Sequence, residues 1–207
     1  MSAADKPIIA VLDYGIGNLR SAQKALEKVG ADARLTTDRG LIADAAAVVL
    51  PGVGAFGRCM EALRDARLDD VALEAVASGR PFIGICVGMQ MMCKASEEDP
   101  HAVGLGVFDV TVRWIPDNVK RPQMQWNVLN VEKPSPLFDG LGAEPWMYFV
   151  HSFAPEDNAD VIATCDYGGR IVAAMARANV FATQFHPEKS SDTGLKLLGN
   201  FVKLAAS

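Results

Sequence analysis

Three short, unbroken apolar runs constrain this chain more than any other feature: Ile8-Ile9-Ala10-Val11-Leu12, Ala46-Ala47-Val48-Val49-Leu50 and Phe82-Ile83-Gly84-Ile85. A strand with one wet face alternates polar and apolar residues, so runs that are apolar throughout belong to strands covered on both sides. The first ends in Asp13-Tyr14-Gly15 and the second in Pro51-Gly52-Val53-Gly54, both loop signals. Helical spacing fills the gaps. Leu19, Ala22, Ala25, Leu26 and Val29 follow Asn18, a capping residue type, and Gly30 supplies the stop. Ala33–Thr36 reads as a further strand, and Phe56 to Ser78 as a helical region broken near Leu68–Asp69 and closed by Gly79. Strand and helix in alternation predict an α/β fold, with a mostly parallel central sheet flanked by helices on both faces.

After Cys93 the texture changes. Val107–Val112, Trp126–Val131, Met147–Val150, Val161–Cys165, Ile171–Met175 and Val180–Gln184 are short strand-like runs, and Gly168-Gly169 marks a hairpin between two of them. They predict an extension of the sheet or a smaller antiparallel β layer in the second half. A last helix runs from Thr193 to Ala205, with Leu195, Leu198, Phe201, Val202 and Leu204 along one side. With 207 residues, no repeat and no separating linker, residues 1–207 are expected to form a single domain.

Composition removes several classes of function. The 18 glycines and 11 prolines are too few for a low-complexity or collagen-like chain. Net charge is −5 and the longest basic run is the pair Lys120–Arg121, so a nucleic-acid partner is not expected. The uncharged stretch Pro81–Cys93 falls well short of the ~20 residues that span a membrane. Met1 to Pro7 lead directly into Ile8 with no apolar leader core. Cys59, Cys86, Cys93 and Cys165 contain no C-x-x-C pair, which argues against a zinc knuckle or a disulfide framework. These features predict a soluble cytoplasmic protein.

The sharpest chemical signal is Gly84-Ile85-Cys86-Val87-Gly88-Met89-Gln90, a G-x-nucleophile-x-G spacing with cysteine as the nucleophile. A nucleophile between a strand and a helix sits on a sharp turn, and flanking glycines let backbone approach without Cβ clashes. Its sulfur faces the helix N-terminus, which favours thiolate, and the Val87 N–H can hold an oxyanion. An isolated cysteine is more often a small core residue, and Cys59, Cys93 and Cys165 are read so. The glycine bracket reverses that reading for Cys86.

A thiolate needs a base. Pro187 restricts His186 to an extended conformation, where residues two apart share a side, so His186 and Glu188 are expected to be neighbours. A carboxylate on one ring nitrogen leaves the other free to exchange a proton with sulfur. His101 lies among Glu97, Glu98 and Asp99 and reads as surface. His151 ends a strand, and both a lining role and a purely structural one fit it. Pro51-Gly52-Val53-Gly54 ends a central strand, where ligands of parallel sheets gather; it suits an oxyanion N–H, though an ordinary turn fits equally well.

Together these residues resemble the class I (triad) glutamine amidotransferases. The match extends to Asp13–Leu19, Pro51–Phe56, Met147–Ser152 and His186–Ser191, which look like the branch that serves imidazole glycerol phosphate synthase in histidine biosynthesis. The resemblance implies a flavodoxin-like fold and hydrolysis of L-glutamine to glutamate and ammonia through a Cys86 thioester, with His186 and Glu188 completing the triad and no metal and no cofactor needed. It further implies oxyanion donors at Gly52, Val53 and Val87, and substrate contacts at Gly54, Gln90, Glu98, Ser152 and Phe153. The implied partner is a cyclase subunit, a (β/α)₈ barrel joined as a heterodimer, facing Asn18, Trp126, Tyr148 and Lys189. Where the family reads P-H-M-G-W-N, this chain reads Pro122-Gln123-Met124-Gln125-Trp126-Asn127, a departure expected to touch that interface rather than the chemistry. Two alternatives remain: a glutaminase for another synthase (aminobenzoate, anthranilate or pyridoxal phosphate), and a non-catalytic regulatory module of the same fold.

Overall fold

The structure, a computed structural model, describes residues 6–207, so the reading of the first five residues lies outside it. In chain order the first half contains β1 (Ile8–Leu12), α1 (Leu19–Lys28), β2 (Asp32–Thr36), α2 (Arg39–Asp44), β3 (Ala47–Gly52), α3 (Phe56–Asp65), α4 (Asp69–Ala77) and β4 (Phe82–Cys86). Then come α5 (Val87–Met91), β5 (Cys93–Ser96), β6 (Phe108–Trp114), β7 (Gln123–Val128), β8 (Asn130–Val131), β9 (Trp146–His151) and β10 (Phe153–Pro155). β11 (Val161–Asp166), β12 (Arg170–Arg177), β13 (Val180–Thr183) and α6 (Ser191–Ala205) complete the chain.

The main sheet has the order β2-β1-β3-β4-β13-β12-β11-β8. Its first five strands are parallel, in the doubly wound order of flavodoxin-like folds; β12, β11 and β8 extend it antiparallel. Every residue of β3 and β4 is buried, as their unbroken apolar runs require. The second half also supplies a mixed sheet, β10-β6-β5, and the antiparallel ribbon β7-β9. The β11–β12 turn falls at Gly168 and Gly169, both at positive φ, as the hairpin signal requires.

Four local readings change. Trp126–Val131 is not one strand: Leu129 turns inward, its N–H donates to the Pro145 carbonyl, and the chain splits into β7 and β8, which join different sheets. The side chain of Asn18 makes no capping bond; only its carbonyl accepts from Ser21 and Ala22. The helix after Cys86 is just five residues long and the sulfur makes no capping bond to it, so no long macrodipole acts there. The small sheets are mixed as well as antiparallel, because β5 pairs parallel with β6.

Candidate active site

Three parallel strands, β3, β4 and β13, deliver the candidate residues to one end of the sheet. In register, Gly52 at the end of β3 pairs with Cys86 at the end of β4. The glycines around Cys86 serve close approach rather than unusual torsions. A Cβ on Gly88 would lie 1.9 Å from the Leu50 carbonyl oxygen, and one on Gly52 would lie 2.6 Å from the Gly88 nitrogen. The strained residue is Cys86 itself, at φ 55 and ψ −113, a region that side-chain-bearing residues rarely adopt.

His186 follows β13 in an extended conformation, but Pro187–Lys189 forms a single 3₁₀ turn. The turn, not strand alternation, brings Glu188 back: its Oε1 lies 2.8 Å from His186 Nδ1, and the two side chains are only 3% and 2% exposed. The backbone of His186 is held twice more, by its N–H to the Tyr148 carbonyl (3.0 Å) and by Ser190 Oγ donating to its carbonyl (2.6 Å). Ser190 Oγ in turn accepts from the Tyr148 N–H, tying the turn to β9. Among the described residues, His186 Nε2 is buried with no hydrogen-bond partner, as is Glu188 Oε2. Burial by itself would push the imidazole down; the Cys86 sulfur and then the Glu188 carboxylate outweigh it and raise the ring to about 9.

Cys86 and His186 line one cavity of about 730 Å³, together with Val53, Gly54, Val87, Gln90, Glu98, Ser152, Phe153, Asn18 and Lys189. Most of the residues singled out in the sequence therefore meet here. Gly52 and Glu188 stand behind the lining, while Trp126 and Tyr148 lie apart on the β7–β9 ribbon, edge to face with ring centres 6.1 Å apart. Glu98 is fixed by the Phe56 N–H, which donates to its Oε2 at 2.7 Å in the first turn of α3. The Val53 carbonyl accepts from the Cys59 thiol at 3.3 Å; burial pushes that thiol up to about 11, so it keeps its hydrogen.

His151 also lines the cavity, with Nδ1 2.8 Å from the Phe153 carbonyl and Nε2 3.0 Å from the side-chain amide of Gln123. Burial, reinforced by the charge of His186 and only partly opposed by the Phe153 carbonyl, lowers it to about 4, so it stays neutral: its one N–H, on Nδ1, donates to Phe153, and Nε2 accepts from the Gln123 amide. Gln123 is wholly buried beneath it, so this half of the sequence departure is internal; only Gln125 faces outward. His101 is exposed, as read. No role was expected of Gln184, Ser190 or Gln123 from the sequence, and their burial as polar residues is what reveals one. Among the described residues no three His, Cys, Asp or Glu side chains converge as metal ligands, and no helix is long and apolar enough to cross a membrane.

Comparison with known proteins agrees with this geometry. The family model described as glutamine amidotransferase class-I matches residues 10–204. The imidazole glycerol phosphate synthase subunit HisH of Syntrophotalea carbinolica is 47% identical, over 94% of this chain and 98% of that protein. The HisH subunit of Methanothermobacter thermautotrophicus is 45% identical, over 95% of this chain and 98% of its own length. Among solved structures, PurLQS from Thermotoga maritima aligns with TM-score 0.77 at 21% identity, covering 96% of this chain and 98% of that one, a likeness of fold. Relatives this similar, matched along nearly their whole length, place the chain: it belongs to the class-I glutamine amidotransferases and, among them, to the imidazole glycerol phosphate synthase HisH subunits.

Proposed function

We propose that this chain is the glutaminase subunit of an imidazole glycerol phosphate synthase, acting in histidine biosynthesis. The observation that carries the reading is the His186–Glu188 pair at 2.8 Å, with the imidazole's other nitrogen unpartnered at the cavity that Cys86 lines. L-Glutamine enters with its carboxamide toward the sulfur. Gln90, Glu98 and Gly54 hold its amino-acid end, helped by the backbone of Ser152 and Phe153. Cys86 thiolate attacks the carboxamide carbon, and backbone N–H groups at Val87 and the Gly52–Val53 loop take the oxyanion. His186 Nε2 gives its proton to the departing nitrogen, the C–N bond breaks, and ammonia leaves behind a glutamyl thioester. The ring then takes a proton from water, the resulting hydroxide adds to the thioester carbon, and glutamate is released with the thiolate restored. Glu188 holds the ring in the orientation both steps need.

Ammonia released into water would be protonated and lost, and the relatives are named as subunits of a synthase. A (β/α)₈-barrel cyclase, joined as a heterodimer in the cytoplasm, receives it. Asn18 and Lys189, at the rim of the cavity, and Trp126 and Tyr148, on the neighbouring ribbon, face that partner. Binding of the acceptor substrate to the cyclase is expected to raise glutaminase turnover, so that ammonia is released only when a substrate is in place to take it. Assaying glutamine hydrolysis by the chain alone, with the cyclase, and with the cyclase plus its nucleotide substrate tests this. Stimulation of at least ~10-fold in the full system is expected; identical rates in all three would contradict the assignment to a synthase.

A further inference from the structure

Beyond the three reacting side chains, one buried polar group touches the sulfur. The register of β13 with β4 pairs Thr183 with Ile85, so the residues that follow them, Gln184 just past β13 and Cys86 at the end of β4, are neighbours. Gln184 is fully buried, and its Nε2 lies 3.8 Å from Cys86 Sγ. We propose that Gln184 is a positioning residue for the nucleophile, its side-chain NH₂ donating to the Cys86 sulfur and favouring the charged form that attacks. The inference rests on Cys86 being that nucleophile.

The two ends of a glutamine amide look alike in shape, so the direction of this contact needs an anchor. The Phe153 carbonyl supplies one, because it can only accept. Gln90 Nε2 lies 3.0 Å from that oxygen, which fixes the Gln90 amide with its nitrogen inward. The same nitrogen lies 3.1 Å from Gln184, so the Gln184 atom facing it is the oxygen. The remaining end of Gln184, the one toward sulfur, is therefore NH₂. His151, through Nδ1, holds the same Phe153 carbonyl from the other side. The amides form a one-way relay from backbone to sulfur, and Gln90 is left with its own oxygen free. An apolar side chain would fill this place without needing any partner, whereas a buried amide is tolerated only because both its ends are engaged, one by Gln90 and the other by the sulfur.

The test is the pH dependence of Cys86 alkylation by iodoacetamide, followed by peptide mass spectrometry, in the full-length chain. Gln184→Met keeps the volume and removes the donor. Gln184→Glu still accepts from Gln90 but offers the sulfur a carboxylate in place of N–H. We expect the alkylation midpoint to move up by about one pH unit in Q184M, with a roughly tenfold slower rate near pH 7, and further in Q184E. Thermal midpoints and ammonia-dependent synthesis with the cyclase serve as folding controls. Coincident midpoints in wild type and Q184M would overturn the inference while leaving Cys86 as nucleophile. Failure of the wild-type Cys86 to alkylate at all would overturn the reading beneath it. Should Q184E not fold, Q184M alone decides.

Discussion

Replacing Cys86 with alanine abolishes glutamine hydrolysis, with an expected fall of at least ~10,000-fold in turnover, while ammonia added to the complex still supports the partner's reaction. The size follows from the kind of group removed: no other side chain at the cavity lies where sulfur lies, so water would have to attack the carboxamide unaided. The second half follows from the fold. The substitution deletes one atom from a residue already 3% exposed, and alanine meets the same backbone requirement at φ 55, so β4 and the short helix behind it remain in place. Loss of both glutamine-dependent and ammonia-dependent synthesis would show that Cys86 supports the structure rather than the chemistry. Paired assays with glutamine and with ammonium salts separate the two outcomes.

Glu188→Gln is expected to reduce glutamine turnover by ~100–10,000-fold and to change its pH profile. The imidazole is held at about 9 by the sulfur and by this carboxylate, against burial. Imidazolium is the form that protonates the leaving nitrogen, so wild-type activity falls as pH rises through about 9. Removing the carboxylate charge lowers the ring's value, and the basic limb of the profile moves to lower pH. Stability changes with the same sign. A raised value means the folded chain holds a proton that the unfolded chain loses near 6.5; the contribution is complete below that value and disappears as pH rises through about 9. The wild-type advantage over E188Q in chemical denaturation is thus expected to shrink above pH 9. Superimposable pH–rate profiles for the two proteins would remove Glu188 from the mechanism.

The parts of the fold that were legible in the sequence share one property. β1, β3 and β4 are covered on both faces, so burial writes itself as an unbroken apolar run. β5 and β10 are four and three residues long, too short for any period to show. Cys93–Ser96 also continues directly from the uncharged Met89–Met92 stretch, so nothing local marks the change from helix to strand. The β7–β8 break depends on Leu129 finding the core and on a bond to Pro145, a contact made only after the chain has folded.

The site divides in a similar way. Cys86 and the His186/Glu188 pair stood out because their chemistry forces a local pattern, glycines about the turn and a proline after the histidine. The reason given for the second pattern needed correction: Glu188 reaches the ring through a 3₁₀ turn. Ser190 and Gln184 act on the same residues but leave no such trace, since a lone polar side chain in a loop or at a strand end looks solvated until its burial is known. Gln123 shows the converse. Met124, Gln125 and Trp126 after it are all exposed, so no alternation marks it as internal, and only its place beneath His151 does.

The central claim is that Cys86, alone among four cysteines, is the reacting sulfur. All four are buried and unpaired, but burial pushes the Cys59 and Cys165 thiols up to about 11, and the Cys93 thiol higher still. Incubating the chain with a glutamine-like electrophile such as a diazoketone analogue, then locating the adduct by peptide mass spectrometry, tests this directly. One adduct per chain on Cys86, suppressed by excess glutamine, is the expected result. An adduct on Cys59, Cys93 or Cys165, or labelling of Cys86 that glutamine does not slow, would contradict it.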